Sequence, residues 1–212
     1  MMIQTKSNSG FTPLEANRPK AAVVVPAAGR PLTGFTLIEM LITIALFAII
    51  MLVLFNLFDW HNRLFYFQQA QVYVSGSARS SLNDLSNYIA QSQAVLASHT
   101  FSGTNYNSGA NVLVLQLPSA DASGNILAST FDYVVFYTSS NQLMEQVAPA
   151  AGSFRTQVTK QLSDTLNTIT FTYDNADFTQ VKSVTVNIAT QAKAGKQTVN
   201  YTLNQKVFLR NH

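Results

Sequence analysis

LTGFTLIEMLITIALFAIIMLVLFNLF, from Leu32 to Phe58, is the stretch that decides how this chain is read. Phe35 to Phe58 is a run of 24 residues, apolar enough to cross a membrane, with one carboxylate, Glu39, near its start. As a helix it spans roughly 36 Å, against a hydrocarbon core of about 30 Å. An acid at the centre of such a helix costs about 2.5–3.5 kcal/mol on insertion scales. Glu39 therefore calls for a partner or for a way out to the headgroups.

The flanks give the segment a direction. Lys6, Arg18, Lys20 and Arg30 precede it against Glu15 alone, and the rest of the chain is close to neutral, so the net +3 sits ahead of the apolar run. The positive-inside rule then places residues 1–34 in the cytoplasm and the remainder outside. Trp60 and Tyr66 suit an aromatic belt at the outer interface. The run is too long for the core of a cleaved secretory signal, and Asp59-Trp60-His61-Asn62-Arg63 offers no small-residue cleavage site.

Composition narrows the classes. Of 212 residues 47% are hydrophobic and only 11% charged, where soluble domains carry about 25% charged residues. What lies outside the apolar run is rich in Ser, Thr, Asn and Gln, which suits an extracytoplasmic domain. With no cysteine, thiol catalysis, disulfides and thiolate zinc sites are excluded. The basic residues flank the apolar run rather than forming a nucleic-acid face.

Gly34-Phe35-Thr36-Leu37-Ile38-Glu39-Met40-Leu41 resembles the start of type IV pilins and pseudopilins. The resemblance implies cleavage between Gly34 and Phe35 by a prepilin peptidase, and N-methylation of Phe35 by an N-methyltransferase. It also implies a partner for Glu39, the free α-amino group of Phe35 on a neighbouring subunit, so that two charges costly alone offset one another. Glu39 on its own has a second option. It lies about one turn inside the membrane, within snorkelling reach of the headgroups and favoured by the helix dipole. An imperfect copy of the motif, Gly10-Phe11-Thr12-Pro13-Leu14-Glu15, is not expected to be cut, because Pro13 opposes a helix and no apolar run follows. Residues 35–58 lack the proline or glycine that many family members carry there, which leans toward a minor subunit.

Beyond the membrane, Phe67, Ala70, Val74, Ala78, Leu82, Leu85 and Ile89 recur at spacings of three and four. That pattern predicts one amphipathic helix continuing to about Ala97. Gln69, Gln71, Arg79, Asn83, Asp84 and Asn87 take its other face, and Ser75-Gly76-Ser77 is its weak point. Ser98 to Asn111 reads as a loop. Strand-like runs follow at Val112–Leu117, Phe131–Tyr137, Ile169–Tyr173, Val184–Ile188 and Val199–Leu203. Turn signals separate them at Asp121–Asn125, Asp174–Asp177 and Lys193–Lys196, the last predicting a hairpin. The closing run Lys206–Asn211 resembles the end of J-type minor pseudopilins and W-type minor pilins.

No enzyme motif is present. His61, His99 and His212 have no common spacing, and there is no nucleophile elbow, zincin motif or phosphate loop. Asp174, Asn175 and Asp177, or Asp121 with Asn125, supply hard oxygens of the kind calcium takes, but Asp and Asn are also the ordinary residues of turns. Lys193 and Lys196, with no interleaved aromatics, are a poor footprint for DNA.

The expectation is an α+β, pilin-like chain: a leader over 1–34 that is removed, a transmembrane half-helix over 35–58, an amphipathic half-helix over 59–97, and an antiparallel β-rich head over 98–212. Its expected role is that of a minor pilin or pseudopilin in a type IV pilus or a type II secretion-like pseudopilus. It would reach that filament from the cytoplasmic (inner) membrane. Prepilin peptidase, N-methyltransferase and other pilin subunits are the expected partners, with no cofactor, no metal and no nucleic acid. The rival is a filament-tip binding module, an adhesin or a receptor for DNA or secreted substrate. A third reading is a signal anchor bearing the motif by accident.

Overall fold

The computed structural model describes residues 34–210. The leader up to Thr33, with its Gly10–Glu15 echo, and Asn211 and His212 lie outside the described residues. The chain divides into two compact units at Ile49/Ile50.

One helix, α1 (Leu37–Gln91, 55 residues), opens the described chain. It is long and apolar enough to cross a membrane. Among residues 35–58 every residue is exposed except half-buried Met51.

In the second unit, α1 buries Ala70, Val74, Ala78, Ser81, Leu82, Leu85 and Ile89, the face its periodicity predicts. Gly76 does not interrupt it. Its neighbour Ser77 is instead a contact point, its hydroxyl 2.9 Å from that of Ser163. The helix closes six residues earlier than expected. The Ser92 hydroxyl donates to the Ile89 carbonyl at 2.6 Å, and the Gln93 N–H already donates to Gln116 in a neighbouring strand. Sheet pairing thus takes over the backbone before Ala97.

The strands are β1 (Ala94–Val95), β2 (Ser98–Phe101), β3 (Thr104–Asn107), β4 (Leu113–Ala120), β5 (Ile126–Ser139), β6 (Gln142–Ala148), β7 (Val158–Ser163), β8 (Leu166–Tyr173), β9 (Ser183–Ala194) and β10 (Gln197–Phe208). They form a five-stranded sheet β1-β4-β5-β6-β7, a three-stranded sheet β10-β9-β8 and the hairpin β2-β3, with antiparallel pairing throughout. Ala78, Leu82, Leu85 and Ile89 share one core with inward residues of both larger sheets, among them Leu115, Phe136, Leu143, Ile169, Val186 and Ile188.

Two readings are corrected. Ser98–Asn111 is not all loop, because Ser102 (φ 48°) and Gly103 (φ 90°) make a tight turn between β2 and β3. Positive φ at both central residues suits the twist of a hairpin. Phe101 is thereby buried against Val114 and Val135. Second, β6 and β7 join the sheet where no strand was expected. The five expected strand-like runs fall within β4, β5, β8, β9 and β10, except that Val112 precedes β4 by one residue. The Lys193–Lys196 hairpin is present, with Ala194 paired to Gln197 and Gly195 at φ 62°.

Candidate functional site

The start of α1 is built from two short side chains and one backbone bond. Leu37 is the first helical residue, which makes Thr36 the N-cap and Glu39 the third helical position. The Thr36 N–H donates to Glu39 Oε2 at 2.8 Å, and the Thr36 hydroxyl donates to the same oxygen at 2.9 Å. The Glu39 N–H points back to Thr36 Oγ1 at 3.3 Å. This is a capping box, in which each residue's side chain accepts from the other's backbone N–H, satisfying two donors orphaned at a helix end. The carboxylate also sits at the positive end of the helix dipole.

Glu39 thus has an intrachain partner that neither expected account supplied. Thr36 is the residue the sequence reading passed over, although Thr-x-x-Glu before an apolar run is a recognised helix-start signal. Both Thr36 contacts converge on Oε2, which leaves Oε1 open among the described residues. Phe35 precedes the cap and is 81% exposed, and Gly34 has open space where a Cβ would stand. Gly34, Phe35, Thr36 and Glu39 are therefore all accessible at one helix terminus.

The chain matches the family model for the prokaryotic N-terminal methylation motif over residues 33–55. That motif supports a type IV pilin or pseudopilin reading of the chain. No curated protein and no solved structure matches it. The motif marks this pilin-like chain as a structural subunit, and it implies processing by prepilin peptidase and assembly with other pilin subunits. The long apolar helix and the motif together fit a membrane-anchored, single-pass protein.

The head of the pilin-like chain holds two buried carboxylates. Asp132, on β5, is fully buried and accepts four partners: the Ser119 hydroxyl at 2.8 Å, the Ala150 N–H at 2.7 Å, the Ser153 hydroxyl at 2.7 Å and Arg155 Nη1 at 2.6 Å. Burial pushes its carboxyl up, but these donors outweigh burial and hold it below the usual aspartate range. Arg155 also donates to the Pro118 carbonyl at 2.9 Å and to Gln91 Oε1 at 3.1 Å. The cluster fastens the segment after β6 to β4, β5 and the end of α1.

Glu145, on β6, is fully buried against α1, and neither of its carboxylate oxygens completes a hydrogen bond. Lys160 Nζ stands 3.4 Å from Glu145 Oε2 and 3.4 Å from Asp84 Oδ2. Burial raises the Glu145 carboxyl above its ordinary range, and the nearby Tyr88 hydroxyl and Lys160 ammonium oppose that only in part. Tyr88 is itself pushed up to about 12 by burial and by Glu145.

The oxygens weighed for calcium are occupied by turns. Asp121 accepts the backbone N–H groups of Ser123 and Asn125 and the Asn125 amide. Asp174 accepts from Lys182 N–H and the Ser183 hydroxyl, and Asp177 caps the 3-10 turn Phe178–Gln180 through Thr179. No group of three or more acidic or histidine side chains is placed to hold a metal among the described residues. His99 stacks on Tyr133 with ring centres 3.8 Å apart, and His61 packs edge-on to Trp60. These are separate packing contacts. Lys193 and Lys196 flank Gly195 at the β9–β10 hairpin tip, beside α1.

Proposed function

We propose that this chain is a minor subunit of a type IV pilus or pseudopilus. It is made as a prepilin, with residues 1–34 as the cytoplasmic leader and the head outside the cytoplasmic membrane. Prepilin peptidase cuts between Gly34 and Phe35, and the new Phe35 amine is methylated. The observation that carries this reading is the capping box. It holds the Glu39 carboxylate at the mouth of α1 through one oxygen and leaves the other open. Cleavage at Gly34 would remove none of the Thr36 contacts. The mature chain therefore keeps a fixed carboxylate four residues from its own new amine, available to the amine of a neighbour. A paired charge in lipid avoids most of the cost of an isolated one.

The apolar side chains of residues 35–58, exposed apart from half-buried Met51, support packing within a filament. The unbroken run of α1 through that segment, with no proline or glycine, supports a minor role over a major one.

The test is Gly34→Ala with a matching peptidase present. The reading expects full-length, unassembled protein in the membrane. Normal processing and normal filaments from Gly34→Ala would sink it in favour of a plain signal anchor.

A further inference from the structure

We propose that the tip of the β9–β10 hairpin, with the adjoining turn of α1, is a docking surface for anionic phospholipid headgroups. It rests on the reading that residues 35–58 lie in the membrane. The position follows from helix geometry. Arg63 and Tyr66 lie five and eight residues past Phe58, so an upright helix carries them roughly 7 and 12 Å beyond the apolar run. The headgroup layer is about 5–8 Å thick on each side. Trp60, exposed on the same helix, fits that depth.

The hairpin meets α1 at this level. Lys196 and Gly195 line a cleft of about 250 Å³ with Arg63 and Tyr66. Across Tyr66, Lys193 borders an open, mainly apolar groove of about 850 Å³ with Phe65 and Tyr73. By the same rise Phe65 to Tyr73 stand roughly 10–22 Å beyond the apolar run, so only the Arg63 edge of the nearer cleft, with Lys196 at its rim, lies at headgroup depth. Neither lysine makes an ion pair among the described residues, whereas Arg63 is held by Asp59 at 2.6 Å. Asp164, which takes the Tyr73 hydroxyl at 2.6 Å, is the other acid beside this face. Lys196 at that edge, with a stem long enough to reach toward the bilayer beside Tyr66, complements a lipid phosphodiester.

The chain lacks cysteine and has a single tryptophan, Trp60, so two probes are available. Gln197→Cys, on the exposed start of β10, would carry a fluorophore. The full chain would be placed in nanodiscs of phosphatidylcholine, with or without one third phosphatidylglycerol. Quenching of the label by headgroup-tagged lipid reads docking, and quenching of Trp60 by brominated acyl chains reads insertion. The expected result is label quenching that rises with phosphatidylglycerol and weakens about fivefold in bound-to-free ratio for each of Lys193→Gln and Lys196→Gln. Trp60 quenching should stay the same throughout. Trp60 quenching with a label indifferent to lipid charge and to the lysines would overturn the proposal and spare the membrane reading. Label quenching that tracks protein density instead would assign the face to a second copy and also overturn it. Absence of Trp60 quenching would remove the membrane reading itself.

Discussion

Thr36 and Glu39 close the first turn of α1 on each other, with the Thr36 N–H and hydroxyl both on Glu39 Oε2 and the Glu39 N–H directed at Thr36 Oγ1. The carboxylate has two separable duties in this account. As a hydrogen-bond acceptor it starts the helix, and as a charge it meets a neighbouring amine.

Glu39→Gln separates the two. A glutamine amide oxygen still closes a capping box but carries no charge. In Glu39→Gln, slowed amide exchange at Thr36 and Glu39 in micelles should persist while incorporation into filaments falls sharply. Thr36→Ala should do the reverse, speeding exchange in the first turn with cleavage and incorporation retained. Equal loss of incorporation in both variants would mean that helix start, not charge, is what assembly reads.

Asp132 and Arg155 make a buried pair with no unfilled acceptor. Asp132→Ala leaves Arg155 and three other donors without their anion, at a cost of about 3–5 kcal/mol. The pair also has a pH signature. The folded-state carboxyl lies below its unfolded value, so its contribution is complete above the unfolded range near pH 4. It is lost as pH falls through the folded value. Thermal unfolding of the full chain in detergent should show the Asp132→Ala deficit at pH 7 shrinking under strong acid. A deficit independent of pH would point to lost packing alone.

Glu145 works in the opposite sense. Its carboxyl is raised on folding, so the folded state favours the protonated form and stability declines as pH rises through the folded value. Glu145→Gln removes that penalty at nearly constant volume, and Lys160 keeps Asp84. The variant should match or exceed the parent at pH 7 by about 1 kcal/mol, or about 2–4 °C in Tm for a chain of this size. The gain should vanish below the ordinary carboxyl range. A clear loss of stability at pH 7 would show that the Lys160 contact outweighs burial.

Legibility followed the strength of local pattern. The buried face of α1 was readable because Ala70 to Ile89 repeat with helical period, and β8, β9 and β10 because their apolar residues alternate cleanly. Strand β6 was hidden because Glu145 occupies an inward position between Leu143 and Val147, which breaks the apolar alternation. Strand β7 is an edge strand, Val-Thr-Lys-Gln-Leu-Ser, whose polarity masks its pairing to β6. The β2–β3 hairpin looked like loop because Ser, Asn, Gly and Thr dominate it, and its inward anchors are few, fully buried Phe101 and half-buried Tyr106. At the helix start, Gly34, Phe35 and Glu39 stood out, but Thr36 did not. The cost of a carboxylate in lipid drew attention to distant partners, while the nearest one lay three residues away.

The most direct test of the central claim is the N-terminal mass of the protein recovered from membranes in cells that carry a matching prepilin peptidase. The account predicts a chain beginning at Phe35 and carrying one additional methyl group. A chain still beginning at Met1 or Met2 would contradict it, remove the proposed amine partner of Glu39, and leave α1 as a membrane anchor whose Glu39 serves only its own helix.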